Sequence, residues 1–269
     1  EVAGRVISWA ATNGYEVVVD ESDIASLRST AVLGGDVGDV DVLVSIGGDG
    51  TMLRSVHVLN GRVVPLIGVN LGQLGYLAVV EDDEVIEALD VWHNGTEGTE
   101  YHYDDRMLLE VSMWANGARL SNHLAMNEVV IEKSEAGHTV RLGVDIDKAM
   151  FTTYAADGLI LATPTGSTAY SMSARGPILS PRLRAILMTP VSPHMLFDRS
   201  MVLDPQELVR IEILGHRSVN VATDGELVHT LRPGDVVEVR AAQEVARFVR
   251  FKEQRFHQTL KSKFGLSDR

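Results

Sequence analysis

Val42-Leu43-Val44-Ser45-Ile46-Gly47-Gly48-Asp49-Gly50-Thr51 joins an apolar run to a glycine-rich turn and then to a helical pattern. The run suits a strand covered on both faces, as in a parallel sheet flanked by helices. Thr51 is expected to cap the following helix, in which Met52, Leu53, Val56 and Leu59 form one apolar face. Gly47, Gly48 and Gly50 permit positive φ and a close backbone approach, so N–H groups of the turn and helix start could converge on an anion. Asp49 stands out in such a turn, because phosphate repels a carboxylate unless the two share Mg²⁺ or the carboxylate takes a proton from the attacking hydroxyl. Either role fits phosphoryl transfer. A plainer reading has Asp49 only supporting the helix N-terminus.

The surrounding composition narrows the classes. A chain of 269 residues is long enough for about two domains. Its 37 acidic and 24 basic residues give a formal charge of −13, which argues against nonspecific binding to nucleic acid or an anionic membrane. An anionic ligand would then need a local cation from Mg²⁺, helix N-termini or individual residues such as Arg54 and Arg175. No cysteine is present, which excludes disulfides, thiolate catalysis and cysteine-ligated zinc. No apolar run approaches a membrane span or a signal sequence, so a cytoplasmic protein is expected. Asn94-Gly95-Thr96 matches a glycosylation sequon by chance in that compartment.

Working outward, Val2, Val6, Trp9 and Ala10 suggest a helix ended by Asn13-Gly14, and Tyr15 to Val19 a short strand. Gly34 to Asp39 reads as a flexible loop, Pro65 to Val69 as a third strand, and Asp82 to Trp92 as a helix. Strands separated by helices predict a parallel sheet whose ligands sit outside the strands' carboxyl ends. Asn70 to Leu77 leaves the third strand through a second glycine-rich loop, so Tyr76 is either a stacking platform for a base or an ordinary half-buried tyrosine. The turn-forming run His93 to Gly98 places a domain boundary there, giving an α/β domain over 1–98. Beyond it the period changes. Met107, Leu109, Val111 and Met113 alternate with polar residues, Asn116-Gly117 supplies a hairpin turn, and Val140, Leu142, Val144 and Ile146 alternate again. Residues 99–252 therefore form a β-rich domain, with Arg232-Pro233-Gly234-Asp235 as an interstrand turn. A C-terminal segment, 253–269, carries Phe256, Leu260 and Phe264 on one helical side and is expected to pack back on the body.

Two further clusters bear on chemistry. Asn127-Glu128 opens an apolar strand between Met126 and Val129, and buried polar groups of that kind either cap neighbouring backbone or hold a ligand such as a ribose diol. Asp157-Gly158 leads through an apolar strand into Thr163-Pro164-Thr165-Gly166-Ser167-Thr168-Ala169-Tyr170-Ser171-Met172-Ser173, a loop crowded with hydroxyls and backbone donors that suits phosphate or sugar without positive charge. Neither a Walker A pattern, nor G-x-G-x-x-G, nor H-E-x-x-H occurs, and the nine histidines show no metal-ligand spacing.

These elements, in this order and spacing, resemble the NAD kinases. The GGDGT turn is shared with lipid kinases, and a related one with phosphofructokinases; TPTGSTAY together with the Asn-Glu pair is more specific. Pro193-His194 and Asp224-Gly225 extend the likeness along nearly the whole chain. The resemblance implies a Rossmann-like parallel α/β domain followed by a β-sandwich-like domain, with the active site between them and the chain's end returning to the first. It implies transfer of the γ-phosphate of ATP, or in some bacterial members of polyphosphate, to the 2′-hydroxyl of the adenosine ribose of NAD, with Mg²⁺ or another divalent cation. Homodimers or homotetramers are implied as well.

By motif position, Asp49 becomes the catalytic base or a metal ligand. Gly47, Gly48, Thr51 and Arg54 belong to the phosphate-donor loop. Gly50, Tyr76, Asn127, Glu128, Asp157, Thr168, Tyr170 and Ser173 surround NAD. The sequence departs from the pattern at Arg175, where the family usually has glycine; the arginine either crowds the loop or reaches a phosphate. The first strand of the α/β domain is also expected to be missing. The competing readings are a noncatalytic NAD(P)-binding sensor and a GGDGT-type lipid kinase.

Overall fold

The computed structural model describes residues 1–20, 33–34, 40–72, 75–251 and 256–266. The chain forms two compact units, Glu1–Asp105 with Ala246–Arg269, and Arg106–Val245.

In the first unit, helix α1 (Val2–Thr12) buries Val2, Trp9 and Ala10, and it ends before Gly14, whose φ is +78°. The Trp9 indole stacks on Tyr15 and donates to the Asp90 carboxylate at 2.6 Å, so the helix's large apolar residue also satisfies its one polar atom. The strand expected over Tyr15 to Val19 shortens to β1 (Val18–Val19), which pairs in parallel with β2 (Leu33–Gly34). Of the loop expected over Gly34 to Asp39, residues 35–39 lie outside the described residues.

The decisive run folds as β3 (Leu43–Ile46), followed by α2 (Asp49–Leu59). Next come β4 (Leu66–Asn70), β5 (Val80–Glu81) and α3 (Val85–Asn94). β4 pairs in parallel with β3 from Leu43↔Leu66 to Ile46↔Val69, and with β5 at Val69↔Val80. The expectation that Val42 to Ile46 is covered on both faces needs correction. Only Ser45 of β3 is buried, whereas every residue of β4 is, because β4 has strand partners on both edges. Ile67 and Val69 of β4 join Val85, Ala88 and Leu89 of α3 in the unit's core.

The second unit is antiparallel. The hairpin of β6 (His102–Ala115) and β7 (Ala118–Ala125) turns at Asn116 and Gly117, with φ +51° and +78°, as a type I′ connection demands. There follow β8 (Glu128–Lys133), β9 (Val140–Ile146), β10 (Ala149–Ala156) and β11 (Gly158–Ala162). A single helical turn, α4 (Tyr170–Ser173), precedes β12 (Ile186–Val191), β13 (Met201–Leu203), β14 (Val209–Leu214), β15 (Val219–Thr223) and β16 (Glu226–Leu231). β17 (Val236–Arg250) and α5 (Phe256–Lys263) follow.

One sheet runs β10-β9-β14-β17 and another β13-β12-β11-β8-β15-β16. Alternate residues of both, including Leu142, Val144, Ile131, Leu161, Ile211 and Val221, meet in one core around the fully buried Tyr154. In α5 the buried residue is Thr259, and Phe264, expected on the packed side, is 49% exposed just past the helix end. No helix among the described residues is long and apolar enough to cross a membrane.

Candidate active site

The glycine turn lies at the carboxyl end of β3. Gly47 donates its N–H to the Val69 carbonyl at 2.8 Å, which ties the turn to β4. Of its three glycines only Gly47 has positive φ; Gly48 is extended and serves as N-cap, while Gly50 is already helical. Thr51 is therefore not the cap expected from sequence. It sits in the first helical turn with its hydroxyl folded back onto Gly47, where an added Cβ would lie 2.3 Å from Thr51 Oγ1. The Thr51 and Met52 N–H groups both bond the Gly48 carbonyl, and helix geometry leaves the N–H groups of Asp49 and Gly50 before them without intrahelical acceptors. Arg54 is exposed one turn further along.

Asp49 opens this helix, but its carboxylate is engaged by another loop. Oδ2 accepts the Tyr76 N–H at 2.9 Å and Oδ1 the Leu77 N–H at 3.0 Å. The approach is so close that a Cβ on Gly75 would stand 2.0 Å from Asp49 Oδ1, which accounts for glycine there. The loop is itself braced: the nearly buried Arg250 donates Nη1 to the Leu77 carbonyl at 2.7 Å and Nε to Asp104 at 3.0 Å. The Tyr76 ring has the Lys263 ammonium 4.6 Å from its centroid and Phe256 tilted beside it. Burial, and secondarily Asp49, push the Tyr76 phenol up.

In the second unit, Asn127-Glu128 forms the entry to β8, and its backbone is held from both sides. The Asp224 carboxylate accepts the N–H groups of Met126 and Asn127, each at 2.7 Å, and of Glu128 at 3.0 Å, while Asp224 N–H returns a bond to the Glu128 carbonyl. Opposite, the Thr163 hydroxyl donates to the Met126 carbonyl at 2.6 Å and the Thr163 N–H to the Asn127 carbonyl at 2.9 Å. What this double clamp leaves to present is the pair of side chains. Glu128 is 6% exposed, and its Oε2 has no hydrogen-bond partner among the described residues. Burial, then the Asp224 charge, raise its pKa to about 7, against a pull downward from the Tyr170 backbone N–H.

Of the remaining predicted residues, Asp157 immediately precedes β11, and Thr168, Tyr170 and Ser173 follow it. Ala162 is the register mate of Glu128 and Gly158 that of Glu132, so Asp157 lies at the other end of the strand, paired with Lys133 Nζ at 2.7 Å. Tyr170 faces both ends: burial first, then Glu132, Asp157 and Glu128, raise its phenol. Thr168 donates to the Thr165 carbonyl at 3.3 Å, and Ser173 is exposed at the end of α4. Asp224, Gly75 and Arg250 are the residues that sequence reasoning left without a role. Asp224-Gly225 carried a readable signal, since Asp-Gly between two strands marks a type I′ turn, and both residues do have positive φ.

Arg175 sits just after α4 with φ +66°, in the left-handed region, and is exposed. A non-glycine residue there costs about 1–2 kcal/mol, partly offset by glycine's greater unfolded-state freedom. Arg175→Gly is therefore expected to stabilise the protein by about 0.5–1 kcal/mol, read as a higher urea midpoint at unchanged slope.

Known proteins agree with this architecture over both units. The family described as ATP-NAD kinase N-terminal domain matches residues 1–96, and the ATP-NAD kinase C-terminal domain matches 126–251. An NAD kinase of Syntrophotalea carbinolica is 36% identical, spanning all of this chain and 94% of the relative; one of Heliobacterium modesticaldum is 35% identical over 98% and 93%. Yeast NADH kinase complexed with NADH superposes with TM-score 0.88 at 28% identity, over all of this chain and 84% of the yeast protein. The structure of an NAD kinase from Archaeoglobus fulgidus in complex with ATP, at 22% identity, shares the fold with TM-score 0.70 over 94% and 98% of the two chains. The chain belongs to the NAD kinase family. It is a kinase that phosphorylates NAD to NADP.

Proposed function

We propose that Asp49 takes the proton from the adenosine 2′-hydroxyl of NAD as the γ-phosphate of ATP is transferred to it, with Asn127 and Glu128 holding ribose hydroxyls. The observation that carries the assignment is the clamping of the Asp49 carboxylate by the Tyr76 and Leu77 N–H groups. It fixes a general base beside helix N–H groups that suit phosphate, and each carboxylate oxygen keeps a lone pair for the incoming hydroxyl. In a loose phosphoryl-transfer transition state such a base acts late, and positioning supplies most of the rate. Gly47, Gly48, Gly50, Thr51 and Arg54 then serve the phosphates. Tyr76 offers adenine the ring face opposite Lys263, and Asp157, Thr168, Tyr170 and Ser173 line the rest of the NAD site.

Mg²⁺ fits as an ion carried by the donor. Among the described residues no three His, Asp or Glu side chains gather to hold a metal, and both Asp49 oxygens already accept N–H bonds. That donor set suits an ion bound chiefly by phosphate oxygens, with at most one protein carboxylate. When bound, the cation neutralises phosphate charge. Polyphosphate presents similar phosphates to the same turn and is the alternative donor. A cytoplasmic homodimer or homotetramer completes the reading, supported by the exposed Met150, Phe151, Leu196 and Phe197 of the β-rich unit.

The test is NADP formation from NAD and ATP, followed through an NADP-specific dehydrogenase, with and without chelator. Turnover with ATP that EDTA abolishes and excess Mg²⁺ restores is the expected result. Chelator-insensitive turnover overturns the metal assignment, and product from polyphosphate but not ATP overturns the donor assignment.

A further inference from the structure

We propose that Asp224 is a positioning residue of the NAD site, presenting Asn127 and Glu128 to the nucleotide by gripping three successive backbone N–H groups. The proposal rests on the reading that Asn127 and Glu128 hold NAD. Its geometry is specific. Bonds of 2.7, 2.7 and 3.0 Å run from Met126, Asn127 and Glu128 to one carboxylate, and the Asp224 N–H closes the loop on the Glu128 carbonyl at 2.9 Å. Thr163 holds the carbonyls of Met126 and Asn127, so with Asp224 on the Glu128 carbonyl the backbone of all three residues is held on both sides.

The cap also sets a second carboxylate near the buried Glu128, and the like charges repel. Here the repulsion has a use. Added to burial, which contributes most, it raises the Glu128 pKa to about 7, and the protonated carboxyl can both donate to and accept from a ribose hydroxyl. The other groups near Glu128 are the Tyr170 backbone N–H and phenol from α4, and the same phenol also feels Glu132 on the Glu128 strand and Asp157 just before β11.

The turn that carries Asp224 selects the variants. At φ +49° the position tolerates asparagine well and alanine poorly. Asp224→Asn keeps Oδ1 for the Asn127 and Glu128 N–H groups but turns an amide N–H₂ on Met126 N–H, and it removes the charge. kcat and KM for NAD are measured across neutrality for Asp224→Asn and Asp224→Ala, with Asn127→Ala and Glu128→Gln alongside. Expected for Asp224→Asn is an NAD KM raised about tenfold with kcat within about twofold, as befits one lost charge-assisted bond. Asp224→Ala should raise it about a hundredfold. The inflection of KM against pH should also move to lower pH in Asp224→Asn, because the part of the upward shift due to the Asp224 charge is gone while burial remains. If Glu128→Gln and Asn127→Ala raise KM while Asp224→Asn leaves both KM and the inflection unchanged, the positioning role is overturned. If Glu128→Gln and Asn127→Ala leave KM unchanged, the site reading itself falls, and the proposal with it.

Discussion

Asp49→Asn is expected to lower kcat by about 10²–10⁴-fold, the range in which general-base catalysis contributes, with the KM for NAD changed far less. Asparagine cannot reproduce the two-oxygen clamp. Its Oδ1 can accept one of the Tyr76 and Leu77 N–H groups, and its N–H₂ then faces the other, leaving a backbone donor unmet. That conflict costs about 1–3 kcal/mol and will lower the melting temperature. Loop collapse is still not expected, because Arg250 holds the Leu77 carbonyl independently of Asp49. The two effects separate experimentally: thermal unfolding reports the clamp, and single-turnover NADP formation at saturating NAD and ATP reports the chemistry. A variant that unfolds some degrees lower yet turns over at near-native rate would remove Asp49 from catalysis and leave it a structural anchor for residues 75–77.

Local periodicity was the part of the fold that the sequence carried well. Val140, Leu142 and Val144 alternate inward as their spacing requires, Asn116-Gly117 makes its hairpin, and Gly158 to Ala162 is a strand of the expected length. Pairing order was less legible. The run at Val42 to Ile46 is as apolar as Leu66 to Val69, and nothing local shows that, among the described residues, only the second lies between partners.

The motif residues of the site were visible as well, but the contacts that set their geometry were not. Asp224 holds residues 96 to 98 positions away, and Asp49 is held from 27 and 28 positions away. Those distances are bridged only once the sheets form. Thr51 shows the converse failure. Threonine before an apolar face is a good cap by composition, yet the helix begins two residues earlier, because Gly48 can stay extended while Asp49 is drawn to the loop after β4.

Gly166→Ala should produce the second large effect, in the other unit. A Cβ on Gly166 would lie 2.0 Å from the Asn127 carbonyl oxygen, 2.4 Å from its carbonyl carbon and 2.7 Å from its Cα. All three atoms are backbone, so no side-chain rotation can relieve the overlap. Moving the 163–166 loop away would draw Thr163 off the Met126 and Asn127 carbonyls. Moving Asn127 instead would strain its bond to Asp224. Either path loses at least one buried hydrogen bond on top of an overpacking cost of about 1–3 kcal/mol, so a total of about 3 kcal/mol or more is expected. Because the displaced segment carries Asn127 and Glu128, the variant should also bind NAD at least about tenfold more weakly at temperatures where it remains folded. Calorimetric titration with NAD, run beside thermal unfolding, checks both. A stability loss with native NAD affinity would mean that the Asn127 backbone can shift without disturbing the nucleotide, and that the clamp of Thr163 and Asp224 serves folding alone.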